Sequence, residues 1–228
     1  MKYPRTYHVP FSPGATTDDK RLTEQEFGQW FLNKPVVITE KLDGSNSCLT
    51  QQGVYARSHG NITNNPWDKN LWVLHDRIKN KLGADEMVFG ENLYAEHSII
   101  YNRLPEYFFI FACNNGDYDG SIWYHWSDVE FMADILGLPT VPVLWKGKIK
   151  STPQLKEMID QFMSEPSTFG DEKEGVVIRN ENCFRVRKDG KSIFHQNVCK
   201  YVRANHVQTD VHWTRNWKKA ELYKHKEN

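Results

Sequence analysis

The sequence has no excess of charge of either sign. Lys and Arg together number 29, and Asp and Glu together also number 29, so the formal net charge of the 228-residue chain is zero. This balance excludes a wholly basic nucleic-acid binder of the histone type, because such a protein carries a large surplus of cations. Any site for a polyanion must therefore be a local cluster of positive residues.

Long apolar runs are also missing. No stretch of about 18 apolar residues occurs, and the opening sequence MKYPRTYHVPFSPG contains no apolar core of the kind found in signal peptides. The sequence therefore predicts a protein that does not span a membrane and that is located in the cytoplasm.

Cysteine is scarce. The chain has four cysteines, and their spacing matches neither a CxxC zinc site nor a disulfide-rich scaffold. We expect free, mostly buried thiols at Cys48, Cys113, Cys183 and Cys199. Repeats, low-complexity tracts and domain linkers are not visible either. We therefore expect one domain over residues 1–228, in which residues 204–228 form a basic, aromatic C-terminal extension.

Aromatic residues, in contrast, make up 13% of the chain, which excludes an intrinsically disordered protein. Capping residues and a proline indicate four helix starts. They lie at Thr23 and Ser127, each followed three residues later by glutamate, at Asp68, and at Thr152-Pro153. After the last start, apolar residues at helical spacing predict packing on the core: Leu155, Met158, Ile159, Phe162 and Met163.

Short runs of β-branched and aromatic residues predict the strands. They are Val36–Thr39, Ser47–Gln51, Val54–Arg57, Met87–Asn92, Tyr107–Cys113, Ile122–Trp126, Val176–Arg179 and Phe184–Arg187. These runs come as adjacent hairpins and do not alternate strictly with helices. The order favours an α+β fold with largely antiparallel sheets.

Lys41 lies at the end of an apolar strand, within the sequence Glu40-Lys41-Leu42-Asp43-Gly44-Ser45-Asn46. A lysine placed beside two carboxylates and a conformationally free glycine can act as a nucleophile on a ligand that approaches the backbone. An isolated KxDG tetrapeptide is also compatible with a surface lysine in a polar turn. The motif alone leaves both interpretations open.

Five further segments follow in order: Tyr55–Gly60, Val88–Tyr94, Phe108–Ala112, Glu174–Arg179 and Asn197–Arg203. With them the chain resembles the covalent nucleotidyltransferase superfamily of lysine-adenylating ligases and capping enzymes. Within that superfamily it is similar to the ATP-dependent RNA ligases of the RNA ligase 2 type. The resemblance implies the nucleotidyltransferase fold, with antiparallel sheets flanked by helices. Because 28 residues follow Lys200, we expect no added C-terminal domain.

The resemblance implies three steps: attack of Lys41 on the α-phosphate of ATP, transfer of AMP to an RNA 5′-phosphate, and sealing by a 3′-hydroxyl. A lysine with a pKa of about 10.4 is neutral only about four times in ten thousand at pH 7, so its pKa must be lowered. Arg57 and Lys200 match basic positions of the family. They would lower the pKa of Lys41 and stabilise charge on the phosphate, so these three residues are the predicted catalytic group.

Further ATP contacts are implied for Glu40, Asp43, Asn46, Glu91 and Phe111, beside Lys41, Arg57 and Lys200. Phe111 would stack on the purine, with Phe109 as the second candidate, although both also fit a buried strand. Glu91 would contact the ribose and, with Glu174, hold Mg²⁺ or Mn²⁺. The alternative is that both glutamates are ordinary carboxylates paired with lysines.

Seven cations are candidates for RNA contact: Arg179, Arg185, Arg187, Lys188, Arg203, Arg215 and Lys218. In the C-terminal extension such cations lie among aromatic residues, a mixture that suits unstacked bases. Packing of these aromatic residues on the core is an equal alternative. Asn46 favours an RNA ligase by resemblance, since DNA ligases and capping enzymes typically have arginine there.

Two departures from the family pattern keep other functions open. Ala112 stands where an acid is frequent, and Val198 precedes Lys200 where a second lysine is usual. The alternatives are an RNA-capping guanylyltransferase and a noncatalytic nucleotide- or RNA-binding module. As an RNA ligase the protein would act on RNA with 5′-phosphate and 3′-hydroxyl ends. We expect a monomer, and a separate end-healing or RNA-docking protein is a candidate partner.

Overall fold

The computed structural model describes residues 2–56, 62–116, 121–185, 187–188, 191–206 and 217–223. The α-helices in these ranges are α1 (Glu24–Phe31), α2 (Lys69–Ile78), α3 (Trp126–Leu136) and α4 (Thr152–Ser164). None of the described helices is both long and apolar enough to cross a bilayer.

The strands are short and are numbered along the chain. They are β1 (Tyr7–His8), β2 (Pro35–Lys41), β3 (Ser45–Thr50), β4 (Gly53–Ala56), β5 (Glu86–Asn92), β6 (Phe108–Asn115), β7 (Ile122–Trp123), β8 (Val143–Lys148), β9 (Gly175–Asn180), β10 (Phe184–Arg185), β11 (Arg187–Lys188), β12 (Lys191–Ser192) and β13 (Val198–Val202). One-turn 3₁₀ helices lie at Pro66–Asp68, Lys79–Lys81 and Phe194–Gln196.

Two of the predicted helix starts are confirmed. The Thr23 hydroxyl accepts a hydrogen bond from the Glu26 amide, and the Glu26 carboxylate accepts one from the Thr23 amide at 2.8 Å. In α4, Ser151 is the capping residue, and Leu155 and Ile159 are fully buried on the stripe that the sequence predicts. Both helices therefore begin where their local chemistry favours it.

The other two helix starts differ from the prediction in their caps. The capping box expected at Ser127 is wrong, because α3 begins at Trp126 and the His125 ring accepts from the Ser127 amide. That helix start also shortens the strand expected to reach Trp126, which ends at Trp123. Asp68 precedes α2 but makes no side-chain capping bond. Its carboxylate instead accepts from the Thr63 hydroxyl at 2.7 Å.

The strands form two larger sheets and one small hairpin. Sheet 1 has the order β1-β13-β9-β2-β8, and sheet 2 has the order β10-β7-β6-β5-β3-β4. The strand pairs are antiparallel except for the pairing of β1 with β13. The predicted α+β class with largely antiparallel sheets is confirmed.

Helices cover the outer face of each sheet, and a small cluster lies between the sheets. Residues of α1 and α4 pack with sheet 1, while residues of α2 and α3 pack with sheet 2. The cluster between them joins Cys48, Phe89 and Trp123 of sheet 2 to Val198 of sheet 1. The two sheets therefore face each other, and the space beside this cluster is the place for a site.

The four cysteines are free thiols, as predicted. Cys48, Cys113 and Cys199 are buried, whereas Cys183 is exposed in the turn between β9 and β10.

Candidate active site

A cavity of about 620 Å³ opens between the two sheets. This volume lies in the range of small-molecule sites in proteins. Both sheets contribute candidate residues to its lining: Glu40, Lys41, Glu174 and Lys200 from the strands of sheet 1 and their ends, and Asn46, Glu91 and Phe111 from sheet 2. With Arg179, which also borders the cavity, the fold thus brings together eight of the residues that the sequence analysis selects.

Lys41 enters this cavity at the end of β2. Its backbone is paired with Gly175, so that the side chain of the preceding residue, Glu174, lies alongside. The Lys41 Nζ atom is 2.5 Å from Glu174 Oε2 in a partly buried ion pair. A Cβ on Gly175 would lie 1.9 Å from the Tyr201 carbonyl oxygen, so only glycine fits there. The close approach of β9 to β13 fixes where this ion pair forms.

The charges around Lys41 keep it protonated. Burial alone would lower the pKa of Lys41, but the carboxylates of Glu174, Glu91 and Asp43 outweigh it and raise the pKa above its ordinary value. The expectation that neighbouring cations lower this pKa is therefore wrong for the described part of the chain. Arg57, one of the two cations expected to do so, lies outside the described residues.

The partly exposed Glu91 and the buried Glu174 are acids in the same cavity. Burial, reinforced by the charges of Glu174 and Asp43, raises the pKa of Glu91 to about 7 although Lys41 opposes it. Burial also raises the pKa of Glu174, again against the effect of Lys41. A nearby cation stabilises the ionised form of such carboxylates. Their oxygen atoms are the ligands that a hard divalent ion prefers.

The protein groups alone would not fill a metal coordination shell. Among the described residues, no three His, Cys, Asp or Glu side chains cluster in a way that could hold a metal ion. Mg²⁺ is commonly held by one or two carboxylates, with waters and substrate phosphates as its other ligands. The residues present therefore fit a divalent ion that arrives together with a phosphate-bearing substrate.

Glu40 and Asp43 anchor the loops that frame the cavity. The Glu40 carboxylate accepts from the Ser167 hydroxyl at 2.5 Å and from the Thr168 amide at 3.1 Å. The Asp43 carboxylate accepts from the amides of Ser98 and Ile99 at 2.8 and 3.0 Å. These bonds fix the two loops. Glu40 lines the cavity, whereas Asp43, both of whose amide bonds go to Oδ2, is not part of the cavity lining.

Asn46 presents a polar atom without a partner. Its Oδ1 atom is buried and accepts no hydrogen bond from the described residues, and the side chain borders the cavity. An unsatisfied buried carbonyl of this kind costs about 1–3 kcal/mol. A ligand with a hydrogen-bond donor would remove that cost, so Asn46 points to an occupant with N–H or O–H groups.

A β-bulge separates the two candidate stacking residues. Phe89 pairs with Ala112 and Gly90 pairs with Ile110, so Phe111 is the extra residue of β6. Phe111 is partly exposed and lines the cavity. Phe109 is buried and packs on Phe169 with ring centroids 4.7 Å apart. Bulges re-aim side chains, and of these two rings only Phe111 reaches the cavity lining.

The cavity lining also contains residues that the sequence analysis did not select as site residues, and four of them carry aromatic or polar side chains from other segments. Tyr3 and Thr6 come from the N-terminal segment, Trp67 from the turn before α2, and His97 from the loop after β5. The His97 ring lies 3.3 Å from the Ser45 hydroxyl and 4.0 Å from the Asp43 carboxylate. These residues reach the cavity only through tertiary contacts, and the sequence carries no local signal for them.

The predicted RNA-binding cations fall into different environments. Arg185, Lys188 and Lys218 are exposed, and Arg187 is partly exposed. Arg203 is ion-paired with Glu172. Arg215 lies outside the described residues.

The prediction for Arg179 is wrong. It borders the cavity but is buried, and its guanidinium donates to the carbonyl oxygens of Phe111 and Tyr124 at 3.1 and 2.6 Å. A cation that is committed to two buried carbonyls is part of the packing between the sheets. It does not belong to an exposed basic surface.

Comparison with known proteins identifies the family. The model of the RNA ligase family matches residues 34–202. The chain belongs to the RNA ligase family. No curated protein matches it.

Solved structures share the fold at low sequence identity. An archaeal ATP-dependent RNA ligase is 15% identical with a TM-score of 0.56, and the alignment covers 89% of this chain and 48% of that one. A Naegleria gruberi RNA ligase mutant with ATP and Mn is 17% identical with a TM-score of 0.54, covering 87% and 60%.

A protein described as a candidate ATP-dependent DNA ligase from Aquifex aeolicus is 18% identical with a TM-score of 0.53, covering 89% and 50%. This family member thus spans about half to three fifths of the length of these three structures. Their common part is the ligase nucleotidyltransferase fold.

Proposed function

We propose that this protein is an ATP-dependent RNA ligase that joins RNA 3′-hydroxyl and 5′-phosphate ends through a lysyl-AMP on Lys41. The observation that carries the proposal is the position of Lys41. It lies at a strand end inside the cavity between the sheets and is held 2.5 Å from Glu174. Membership of the RNA ligase family supports the reaction class.

The first step requires a change at the Lys41–Glu174 pair. Lys41 must leave Glu174 and lose its proton before its nitrogen can attack the α-phosphorus of ATP. The new N–P bond forms as the bond from the α-phosphorus to the bridging oxygen breaks and pyrophosphate leaves. Lys200, which lines the same cavity, is the described cation suited to stabilise charge on the phosphate oxygens.

The nucleotide would use three groups of the cavity. Phe111 offers a ring face to the purine, and Asn46 Oδ1, which has no hydrogen-bond partner among the described residues, offers an acceptor. Glu91 is placed for the ribose or for a divalent ion that it would share with Glu174. When bound, Mg²⁺ or Mn²⁺ would supply positive charge beside the triphosphate. The presence of ATP and Mn in the Naegleria neighbour supports these two ligands.

In the second and third steps AMP passes to the RNA 5′-phosphate, and the 3′-hydroxyl then displaces AMP as the phosphodiester forms. The exposed cations Arg185 and Lys188 are suited to the RNA backbone. Four features stay predictions: the extent of the domain, the cytoplasmic location, the monomeric state and a separate end-healing or RNA-docking partner.

The test is covalent labelling with ATP that carries the label on its α-phosphate, in the presence of Mg²⁺. Wild type should become labelled, Lys41→Ala should not, and the exposed Lys34→Ala should label like wild type. Addition of 5′-phosphorylated RNA should then move the label from protein to RNA. An unlabelled wild type, or a labelled Lys41→Ala, would overturn the proposal.

Two other outcomes identify the alternatives. Labelling by GTP in place of ATP would indicate a capping guanylyltransferase. Nucleotide or RNA binding without a covalent adduct would indicate a noncatalytic module.

A further inference from the structure

Residues 217–223 pack against the chain at residues 94–96 and at Leu104. The Glu96 amide donates to the Lys218 carbonyl at 2.8 Å, and the Ala220 amide donates to the Tyr94 carbonyl at 2.9 Å. The Tyr223 amide donates to the Leu104 carbonyl at 2.7 Å. Three backbone hydrogen bonds therefore hold this segment in place, and the Tyr107 hydroxyl adds a fourth bond to the Ala220 carbonyl at 3.0 Å.

Its docking builds a row of four aromatic rings that begins at the cavity. Trp67 lines the cavity and lies 6.5 Å from Trp217, which lies 6.0 Å from Tyr94, and Tyr94 lies 5.0 Å from Tyr107. All four side chains are partly exposed. We call this row, Trp67–Trp217–Tyr94–Tyr107, the aromatic shelf.

Cations accompany the shelf. The Lys219 ammonium lies 5.4 Å from the ring centroid of Tyr94 and 5.8 Å from that of Tyr107. Lys218, next to Trp217, is exposed. Partly exposed rings with ammonium groups close by suit a single strand, because bases stack on such rings and phosphates pair with the cations.

We propose that the aromatic shelf binds unpaired nucleotides of the RNA strand that carries the 5′-phosphate and leads that end into the cavity beside Lys41. The proposal rests on the proposed function, since AMP transfer requires this end to reach Lys41. The shelf meets the cavity at Trp67, and Lys218 and Lys219 are the ammonium groups beside it that phosphates would contact.

The shelf combines residues from two parts of the chain. Trp67, Tyr94 and Tyr107 lie within residues 34–202, which the family model covers, whereas Trp217 and Lys219 lie outside them. A double-stranded end would offer the rings no unstacked base, so the shelf favours single-stranded 5′-phosphate ends.

The experiment compares Trp217→Ala with Trp217→Phe and with Tyr223→Ala, a ring on the same segment beyond the shelf. Lysyl-AMP formation without RNA should be unchanged in all three. Transfer of AMP to a single-stranded 5′-phosphorylated RNA should show a KM raised about tenfold in Trp217→Ala, because base–aromatic stacking contributes about 1–3 kcal/mol. Trp217→Phe should restore most of this affinity, and Tyr223→Ala should resemble wild type.

A second arm changes the RNA. An oligonucleotide that lacks the bases of its first nucleotides after the 5′-phosphate should bind wild type as weakly as the intact strand binds Trp217→Ala. The Trp217→Ala change should not weaken the binding of this oligonucleotide any further. An unchanged KM in Trp217→Ala would overturn the proposal. An equal rise of the KM on a fully paired nicked duplex would also overturn it. Neither result would affect the proposed function, which lysyl-AMP formation tests separately. If wild type formed no lysyl-AMP, fluorescence anisotropy of the labelled single strand would test the same binding difference directly.

Discussion

Glu91 is a partly exposed carboxylic acid of the cavity with a pKa of about 7, raised mostly by loss of contact with water. In the unfolded chain the same group would titrate near 4.5. Between these values the folded protein binds the proton more tightly than the unfolded chain, so the free energy of unfolding falls as the pH rises from about 4.5 to about 7. Above about pH 7 the free energy of unfolding no longer changes with the titration of Glu91.

Glu91→Gln should therefore raise the stability of the ligand-free protein at pH 8. The amide keeps an acceptor for the Gly44 amide, which Glu91 binds at 3.1 Å, and removes the buried charge. The gain should be at most about 3.5 kcal/mol, at roughly 1.4 kcal/mol per unit of pKa, and should vanish near pH 4.5. Urea unfolding at several pH values measures it, and an equal gain at pH 4.5 and pH 8 would contradict the argument.

At the scale of elements, the bulge in β6 gives neighbouring phenylalanines different tasks. Phe111→Leu should raise the KM for ATP in lysyl-AMP formation several-fold and change stability little, since the ring is partly exposed in the cavity. Phe109→Leu should lower stability by about 1–3 kcal/mol, because it disturbs a buried contact with Phe169. Measuring the KM for ATP and urea unfolding for each variant checks both expectations. Equal effects of the two substitutions on the KM would contradict the different roles of the two rings.

The strand that carries Lys200 depends on an N-terminal residue. The buried Ser12 hydroxyl accepts from the Val202 amide at 3.0 Å and lies 2.8 Å from the His8 ring. Ser12→Ala should lower stability by about 1–3 kcal/mol, since the Val202 amide would lose its partner. Hydrogen exchange at the Val202 amide should accelerate, whereas the exposed Ser164→Ala should leave it unchanged. An unaltered exchange rate in Ser12→Ala would refute this role.

Elements with strong local chemistry could be predicted from the sequence, and elements defined by distant partners could not. The Thr23–Glu26 box and the α4 stripe specify their helices through neighbours within one turn. The edge strand β8, in contrast, has a sequence rich in lysine and glycine and exists because β2 pairs with it. The same limit applies to the bulge that re-aims Phe111.

At the scale of the whole molecule, Arg179 joins the two sheets. It lies on β9 of sheet 1 and donates to the Phe111 carbonyl on β6 of sheet 2 and to the Tyr124 carbonyl just after β7. Arg179→Met should lower stability by about 2–4 kcal/mol, because two buried carbonyls would lose their donors. Lys188→Ala should leave stability unchanged and weaken RNA binding. Urea unfolding and a salt-dependent RNA titration distinguish the two, and a stable Arg179→Met protein would contradict this assignment.

In the candidate site too, residue identities could be predicted from local sequence, but the interactions between distant segments could not. Lys41, Glu91 and Glu174 could be selected from their segments, and the structure brings them into one cavity. The raised pKa of Lys41 could not be foreseen, because it depends on how closely carboxylates from three separate segments approach the ammonium. Arg179 was misjudged because a basic segment of sequence does not reveal which cation points inward.

The distribution of the cysteines makes the protein suitable for site-selective labelling. Thiolates are the reactive form, and burial raises the pKa of Cys48 to about 12 and the pKa values of Cys113 and Cys199 well above the ordinary value. Cys183 is exposed and lies two residues before Arg185. A maleimide dye should therefore attach once per folded chain, at Cys183, where its fluorescence would report the arrival of RNA on the neighbouring basic strand.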